Sequence, residues 1–101
     1  MATTPMKLVT MVAEAVLVDR LTLELRRVGA TGWTLSEASG DGSRGVRSTP
    51  LPGENVRLES VMAPENADRL MGILAHDYFH DYAMVAWVSD VEVVRGEKYR
   101  S

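Results

Sequence analysis

The chain contains no cysteine. That absence excludes disulfides, thiolate metal sites and a cysteine nucleophile, and it fits a reducing, cytoplasmic setting. Aromatic residues are also scarce, at 6% of the sequence. None falls in Lys7 to Ala13 or Val56 to Met62, two segments that read as strands. A sheet that reads RNA needs aromatics on its central strands to stack bases, so that reading is disfavoured. No apolar run approaches the roughly 20 residues of a membrane-spanning helix. The opening Met-Ala-Thr-Thr-Pro is followed by Lys7 and a short apolar run with no secretory cleavage pattern. Positive charge is not in excess either. Eleven Lys and Arg stand against 14 Asp and Glu, for a net charge of -3. Non-specific nucleic-acid binding is therefore not the main task, although a local basic site remains open.

The 101 residues fit a single domain spanning 1–101. At 46% hydrophobic and 25% charged the composition is that of a globular protein. A core of this size is thin, and oligomerisation would reinforce it.

Glycine and proline are concentrated in one place. Ser39 to Asn55 holds four of the eight glycines and two of the four prolines, with Arg44 and Arg47 three residues apart. Loops this long inside a compact domain are usually functional or disordered. Gly40, Gly42 and Gly45 allow backbone N–H groups to converge on an anion. Arg44 and Arg47 add guanidinium forks that match phosphate or carboxylate oxygens, and Ser43 and Ser48 are further donors. A solvated loop with incidental charge is the competing reading of the same residues.

The flanks set this loop between two strands. Lys7 to Ala13 is apolar and β-rich. From Ala15 to Val28, Leu17, Leu21, Leu25 and Val28 recur at steps of four and three, which is an amphipathic helix. Asp19, Arg20, Glu24, Arg26 and Arg27 fill its polar side, and Gly29 is placed to end it in the left-handed conformation. Trp33 to Ala38 alternates as a half-buried strand, with Trp33 and Leu35 inward. Val56 to Met62 is a third strand, with Arg57 and Glu59 facing away from Val56 and Leu58. Pro64 suits the first turn of a second helix. Ala67, Leu70, Met71, Leu74 and Tyr78 form its buried stripe, and it ends near Phe79. Ala83 to Val88 is a fourth strand, which Val91 to Val94 either continues or follows as a short fifth. The tail, Arg95 to Ser101, is polar and basic, with Arg95, Lys98 and Arg100 around Gly96.

The order strand, helix, strand, strand, helix, strand specifies an α+β, ferredoxin-like βαββαβ fold. In it a four-stranded antiparallel sheet carries two helices on one face. Val9, Met11, Leu35, Leu58, Val85 and Trp87 are too many apolar residues for both sheet faces to be wet. The second face is therefore expected to pack against other subunits.

Other constellations are weaker. His76 and His80 stand four apart, a metal-sharing spacing, but the segment runs out of the helix and a capping and packing role is preferred. Glu14, Glu37, Glu59, Asp90 and Glu92 are scattered with no acid–base pairing. No Gly-x-Ser-x-Gly elbow occurs. The first strand runs into Val12-Ala13-Glu14-Ala15, without the glycine-rich phosphate turn of an acylphosphatase.

Gly32-Trp33-Thr34 followed by Gly40-Asp41-Gly42-Ser43-Arg44-Gly45-Val46-Arg47-Ser48 resembles the start of the T-loop of PII-like signalling proteins. The likeness is strongest to their carboxysome-associated branch, which includes SbtB-type regulators of bicarbonate transport and the group called CPII. Tyr78-Phe79-His80-Asp81-Tyr82-Ala83 and Ser89-Asp90-Val91-Glu92-Val93 resemble the same branch, and the likeness runs from Lys7 to about Tyr99.

The resemblance implies a homotrimer with adenine nucleotides in the clefts between subunits and a T-loop, here about 39–55, that answers the ligand. Gly32, Trp33, Thr34, Val88 and Ser89 would border adenine and ribose. Ser43, Arg44 and Arg47 would meet the phosphates, joined by Arg95, Gly96 and Lys98 of the basic tail, which the resemblance allows to come from a neighbouring subunit. Bicarbonate is implied as a second ligand near Arg44 and Arg47. The implied partner is a membrane bicarbonate transporter or another carbon-metabolism protein, which would bring a cytoplasmic subunit to the inner membrane. No prosthetic group, metal or nucleic acid is implied, and no enzymatic activity.

The departures are informative. His76 to Tyr82 holds no glycine or lysine where nitrogen-regulatory PII proteins carry a phosphate loop, which favours ADP, AMP or cyclic AMP over tight ATP binding. The loop has no tyrosine to uridylylate, and no cysteine pair is present to act as a redox switch. The rival readings are a slow nucleotide phosphohydrolase of the same fold and an interaction module that needs no small ligand. If Arg47 grips phosphate, Arg47→Ala is expected to weaken nucleotide binding by about 1–3 kcal/mol in a calorimetric titration, the range for a charge-assisted hydrogen bond.

Overall fold

The computed structural model describes residues 2–40 and 54–100. Residues 41–53, with Ser43, Arg44 and Arg47 among them, lie outside the described residues. The elements are β1 (Thr4–Glu14), α1 (Val18–Arg27), β2 (Thr34–Glu37), β3 (Asn55–Met62), α2 (Pro64–Asp77) and β4 (Met84–Val93). Short 3-10 turns occupy Ala15–Leu17 and Gly96–Tyr99. The strands form one sheet in the order β2-β3-β1-β4, and every pairing is antiparallel. This is the expected ferredoxin-like arrangement. β1 and β2 run parallel with β3 between them, as β3 and β4 do around β1.

Directly paired residues of an antiparallel sheet share a face. Val9, Met11 and Ala13 of β1 therefore lie on one side with their partners Ser60, Leu58 and Val56. That side is covered by Leu21 and Leu25 of α1 and by Ala67, Leu70 and Leu74 of α2, all buried in one core. Val9, Met11 and Leu58 thus belong under the helices and not to the open face. Val85 and Trp87 do lie on the open face, paired with Val12 and Thr10, and both are exposed.

Several boundaries move for physical reasons. β1 starts at Thr4, three residues earlier than its apolar run. Its Pro5 pairs with Glu92 of β4 but lies beyond the reach of β3, whose pairing begins at Lys7. The missing N–H therefore breaks no ladder on that side. β4 is one strand through Val93, with no fifth. β2 is only four residues long and exposed throughout. The expected burial of Leu35 does not occur, because β2 is the sheet edge and Leu35 remains 49% exposed. Gly29 ends α1 at φ 89, as its left-handed role requires. Pro64 sits in the first turn of α2.

Glu24 departs most from the amphipathic pattern. It is buried on α1, where the Tyr78 hydroxyl donates to its Oε2 at 2.7 Å. Arg20 lies over the rings of Tyr78 and Tyr82, at 5.2 and 5.1 Å from their centroids, and donates to the Tyr82 hydroxyl. α1 is thereby tied to the turn that follows α2. His76 is exposed beside Asp77, so it has no packing role, and His80 is exposed outside the helix. Among the described residues no group of three metal-ligating side chains gathers.

Burial, and then the bond to Glu24, push the Tyr78 hydroxyl up to about 12. Its folded-state value lies above the unfolded value of about 10. The contribution to stability is therefore whole below pH of about 10 and is lost as pH rises towards about 12. Tyr78→Phe is expected to cost about 1–3 kcal/mol in urea unfolding at neutral pH, because it strips a buried carboxylate of its donor. The difference from the parent protein should shrink across that alkaline window.

Candidate functional site

The segment between α1 and β2 is pinned from two sides. Ser60 on β3 donates its hydroxyl to the Gly32 carbonyl at 2.7 Å. Arg26, in the last turn of α1, lies over the Trp33 ring at 5.4 Å. Trp33 is half-buried against the core rather than forming the first residue of a strand. A Cβ added to Gly32 would meet nothing within 4 Å, so the space above this backbone is open.

Beside it lies a cleft of about 450 Å³. Thr31, Gly32, Trp33 and Thr34 line one part, and Leu8, Glu59, Ser60 and Val61 contribute from β1 and β3. Lys98 and Tyr99 of the C-terminal turn complete the lining. The Lys98 ammonium is 5.8 Å from the Tyr99 ring centroid. Glu59 is held in place from below and from the side: Thr10 donates its hydroxyl to Oε2 at 2.9 Å, and Arg57 Nε approaches Oε1 at 3.3 Å. Arg57 in turn lies 5.9 Å over the Trp87 ring. The cleft therefore offers one fixed carboxylate, one ammonium, an open backbone stretch and two aromatic rings. Such a set suits a ligand with both hydroxyl or amino donors and an anionic group.

Four of the residues singled out in the sequence, Gly32, Trp33, Thr34 and Lys98, meet at this cleft. Others stand apart. Ser89 pairs with Leu8 and Val88 with Val9, so the two point to opposite sheet faces and neither lines the cleft. Arg95 is exposed and approaches Glu97 at 3.9 Å. Gly96 is buried against Thr4. The tail does not lie beside the roots of the long loop. Those roots, at Gly40 and Glu54, adjoin the far end of β2, about 10 Å along the strand from Thr34 at 3.3 Å per residue. The tail instead packs at the start of β1, and Arg100 donates to Glu65 at 3.1 Å.

Glu59, Ser60 and Tyr99 were not singled out as site residues. Alternation already set Glu59 on the face away from Leu58. Its place opposite Thr34 follows from the β2–β3 register, which is set across a long loop and has no local signature. A second depression, of about 790 Å³, is lined by Met6, Pro64 and Val91, with Lys7, Asp90 and Glu92. Lys7 is already paired with Asp90 there, so it offers no free cation.

The family model described as "Nitrogen regulatory protein P-II" matches residues 6–98. Among solved structures, a protein of Thermus thermophilus assigned as PII-like signaling is 49% identical. It covers 98% of this chain and 99% of its own, with a TM-score of 0.84. CPII from Thiomonas intermedia, bound to ADP, AMP and acetate, superposes with a TM-score of 0.89 at 22% identity over 100% of both chains. The same protein bound to ADP and bicarbonate gives a TM-score of 0.88 at 24% identity, over 98% of each chain. At that level of identity the CPII structures establish likeness of fold.

Ser60→Ala removes the hydroxyl that holds the Gly32 carbonyl. A loss of about 1 kcal/mol in urea unfolding is expected, the usual net value of such a bond.

Proposed function

This chain belongs to the nitrogen regulatory protein P-II family, and on that footing we propose that it is a non-enzymatic signalling subunit that binds an adenine nucleotide. The ligand is ADP or AMP in the first place, with ATP and cyclic AMP as further candidates. The observation that carries the proposal is the cleft where Gly32, Trp33 and Thr34 meet Glu59 and Lys98. Glu59 is suited to accept hydrogen bonds from ribose hydroxyls or an amino group. Lys98 is suited to meet a phosphate, as are Arg44 and Arg47 of the long loop. The ADP and AMP bound by the Thiomonas protein support the choice of ligand, and its bicarbonate supports an inorganic anion as a second one.

The protein acts as a homotrimer in this reading. Exposed Val85 and Trp87 on the open sheet face supply apolar surface for the subunit contact. The loop of about 39–55 then carries the ligand state to a partner, for which a bicarbonate transporter or another protein of inorganic-carbon uptake is proposed. Among the described residues no helix is long and apolar enough to cross a membrane. The subunit would act in the cytoplasm and reach a membrane only through that partner.

Titration of the purified trimer with ADP, AMP, ATP and cyclic AMP, with and without bicarbonate, tests the proposal. Saturable binding of ADP or AMP is expected, with light scattering reporting three chains. Absence of heat with all four, from folded trimer, would sink the nucleotide reading. Steady phosphate release from ATP or ADP would favour a hydrolase instead.

A further inference from the structure

We propose that Gly96 is a positioning residue of the cleft. Its lack of a side chain seats the C-terminal turn on Thr4, and this seat holds Lys98 at the cleft wall. The inference rests on the nucleotide reading for its ligand and adds the element that sets the charge of the site.

Lys98 is the only cation among the described residues lining the cleft, and it shares that lining with the Glu59 carboxylate. Without the tail the one charged side chain in that lining is Glu59, already paired with Arg57, and no lining cation is left to meet an anionic ligand. The placement of Lys98 therefore decides whether the described part of the cleft accepts a phosphate.

That placement is built residue by residue. Arg95 takes the left-handed conformation, φ 63 and ψ 57, unfavourable for a residue with a side chain. It turns the chain sharply after β4. Gly96 follows and is buried. A Cβ at Gly96 would lie 2.5 Å from both Cβ and Oγ1 of Thr4 and 2.8 Å from its Cγ2, far inside contact distance. Thr4 is held in place by its pairing with Val93 at the start of β1. Rotating its side chain moves Oγ1 and Cγ2 but leaves its Cβ in the way. Lys98 is tied directly to this turn, since its N–H donates to the Arg95 carbonyl at 3.0 Å. The far end is held by the Arg100–Glu65 pair, which is exposed and contributes little by itself. Any side chain at position 96 must lift the turn, and Lys98 lifts with it.

A size swap tests this, with calorimetric titration of ADP and of adenosine as probes on the full-length protein. Gly96→Ala and Lys98→Ala are each expected to weaken ADP binding about tenfold or more, the worth of one charge-assisted hydrogen bond. Both should leave adenosine, which has no phosphate, unaffected. Gly96→Ala with Lys98→Ala should be no weaker than Lys98→Ala alone, because the two act through one ammonium. Thr4→Gly removes all three clashing atoms, so Thr4→Gly with Gly96→Ala should recover most of the ADP affinity of Thr4→Gly alone. Full ADP affinity in Gly96→Ala would overturn the proposal. So would an equal loss for ADP and adenosine, or failure of the swap to rescue. Should Gly96→Ala alone misfold, the comparison of the swap with Thr4→Gly decides the same question. Absence of ADP binding by the parent protein would instead strike at the nucleotide reading itself.

Discussion

The two helices cover only one face of the sheet, and the rest of the molecule follows from that asymmetry. On the covered face, Val9, Met11, Leu58 and Met62 lose nearly all contact with water beneath α1 and α2. Each such side chain contributes about 1.5–3 kcal/mol, so this layer supplies most of the drive to fold. The uncovered face cannot be apolar throughout in a single chain. It carries a row of Thr34, Glu59, Thr10 and Trp87 across all four strands. Thr10 is fully buried there, and its hydroxyl is spent on Glu59. A carboxylate is thereby fixed at the mouth of a cleft.

Polar bonds between distant parts of the chain then set the details. Ser60 holds the Gly32 carbonyl, and Tyr78 meets Glu24 across the helix layer. Each gives a partner to a buried polar group that would otherwise cost about 1–3 kcal/mol. Together they fix segments that regular secondary structure leaves free: the entry to β2 and the turn after α2. The first of these segments lines the cleft, and because it is preorganised there a ligand need not order it on binding.

The likeness to PII-like proteins bears on function because it extends over nearly the whole chain, including Gly32-Trp33-Thr34 and the tail. The physical reading of the cleft stands beside that likeness. A carboxylate, an ammonium and open backbone in one place suit a small ligand with both hydroxyl and phosphate character.

Much of this was legible in the sequence. The spacing of Leu17, Leu21 and Leu25, the alternation around Leu58, and the signals of Gly29 and Pro64 are local properties of the chain. Local properties determine which segments are helices and strands, and their order leaves few ways to form a sheet. Glu24 misled because helical periodicity assigns a charged residue to water. Its burial is met by Tyr78, 54 positions away, which donates to Oε2, alongside the local Arg27 at Oε1. Leu35 misled in the opposite sense, since alternation cannot reveal that β2 is an edge no helix covers. The sequence by itself therefore determined the elements, their order and the residue types available for anion binding. The tertiary structure decided which of them meet: Glu59 opposite Thr34, Gly96 against Thr4, Lys98 at the cleft. Those contacts depend on strand register and on the path of the tail, which are settled by packing between remote segments and leave no periodic trace in the chain.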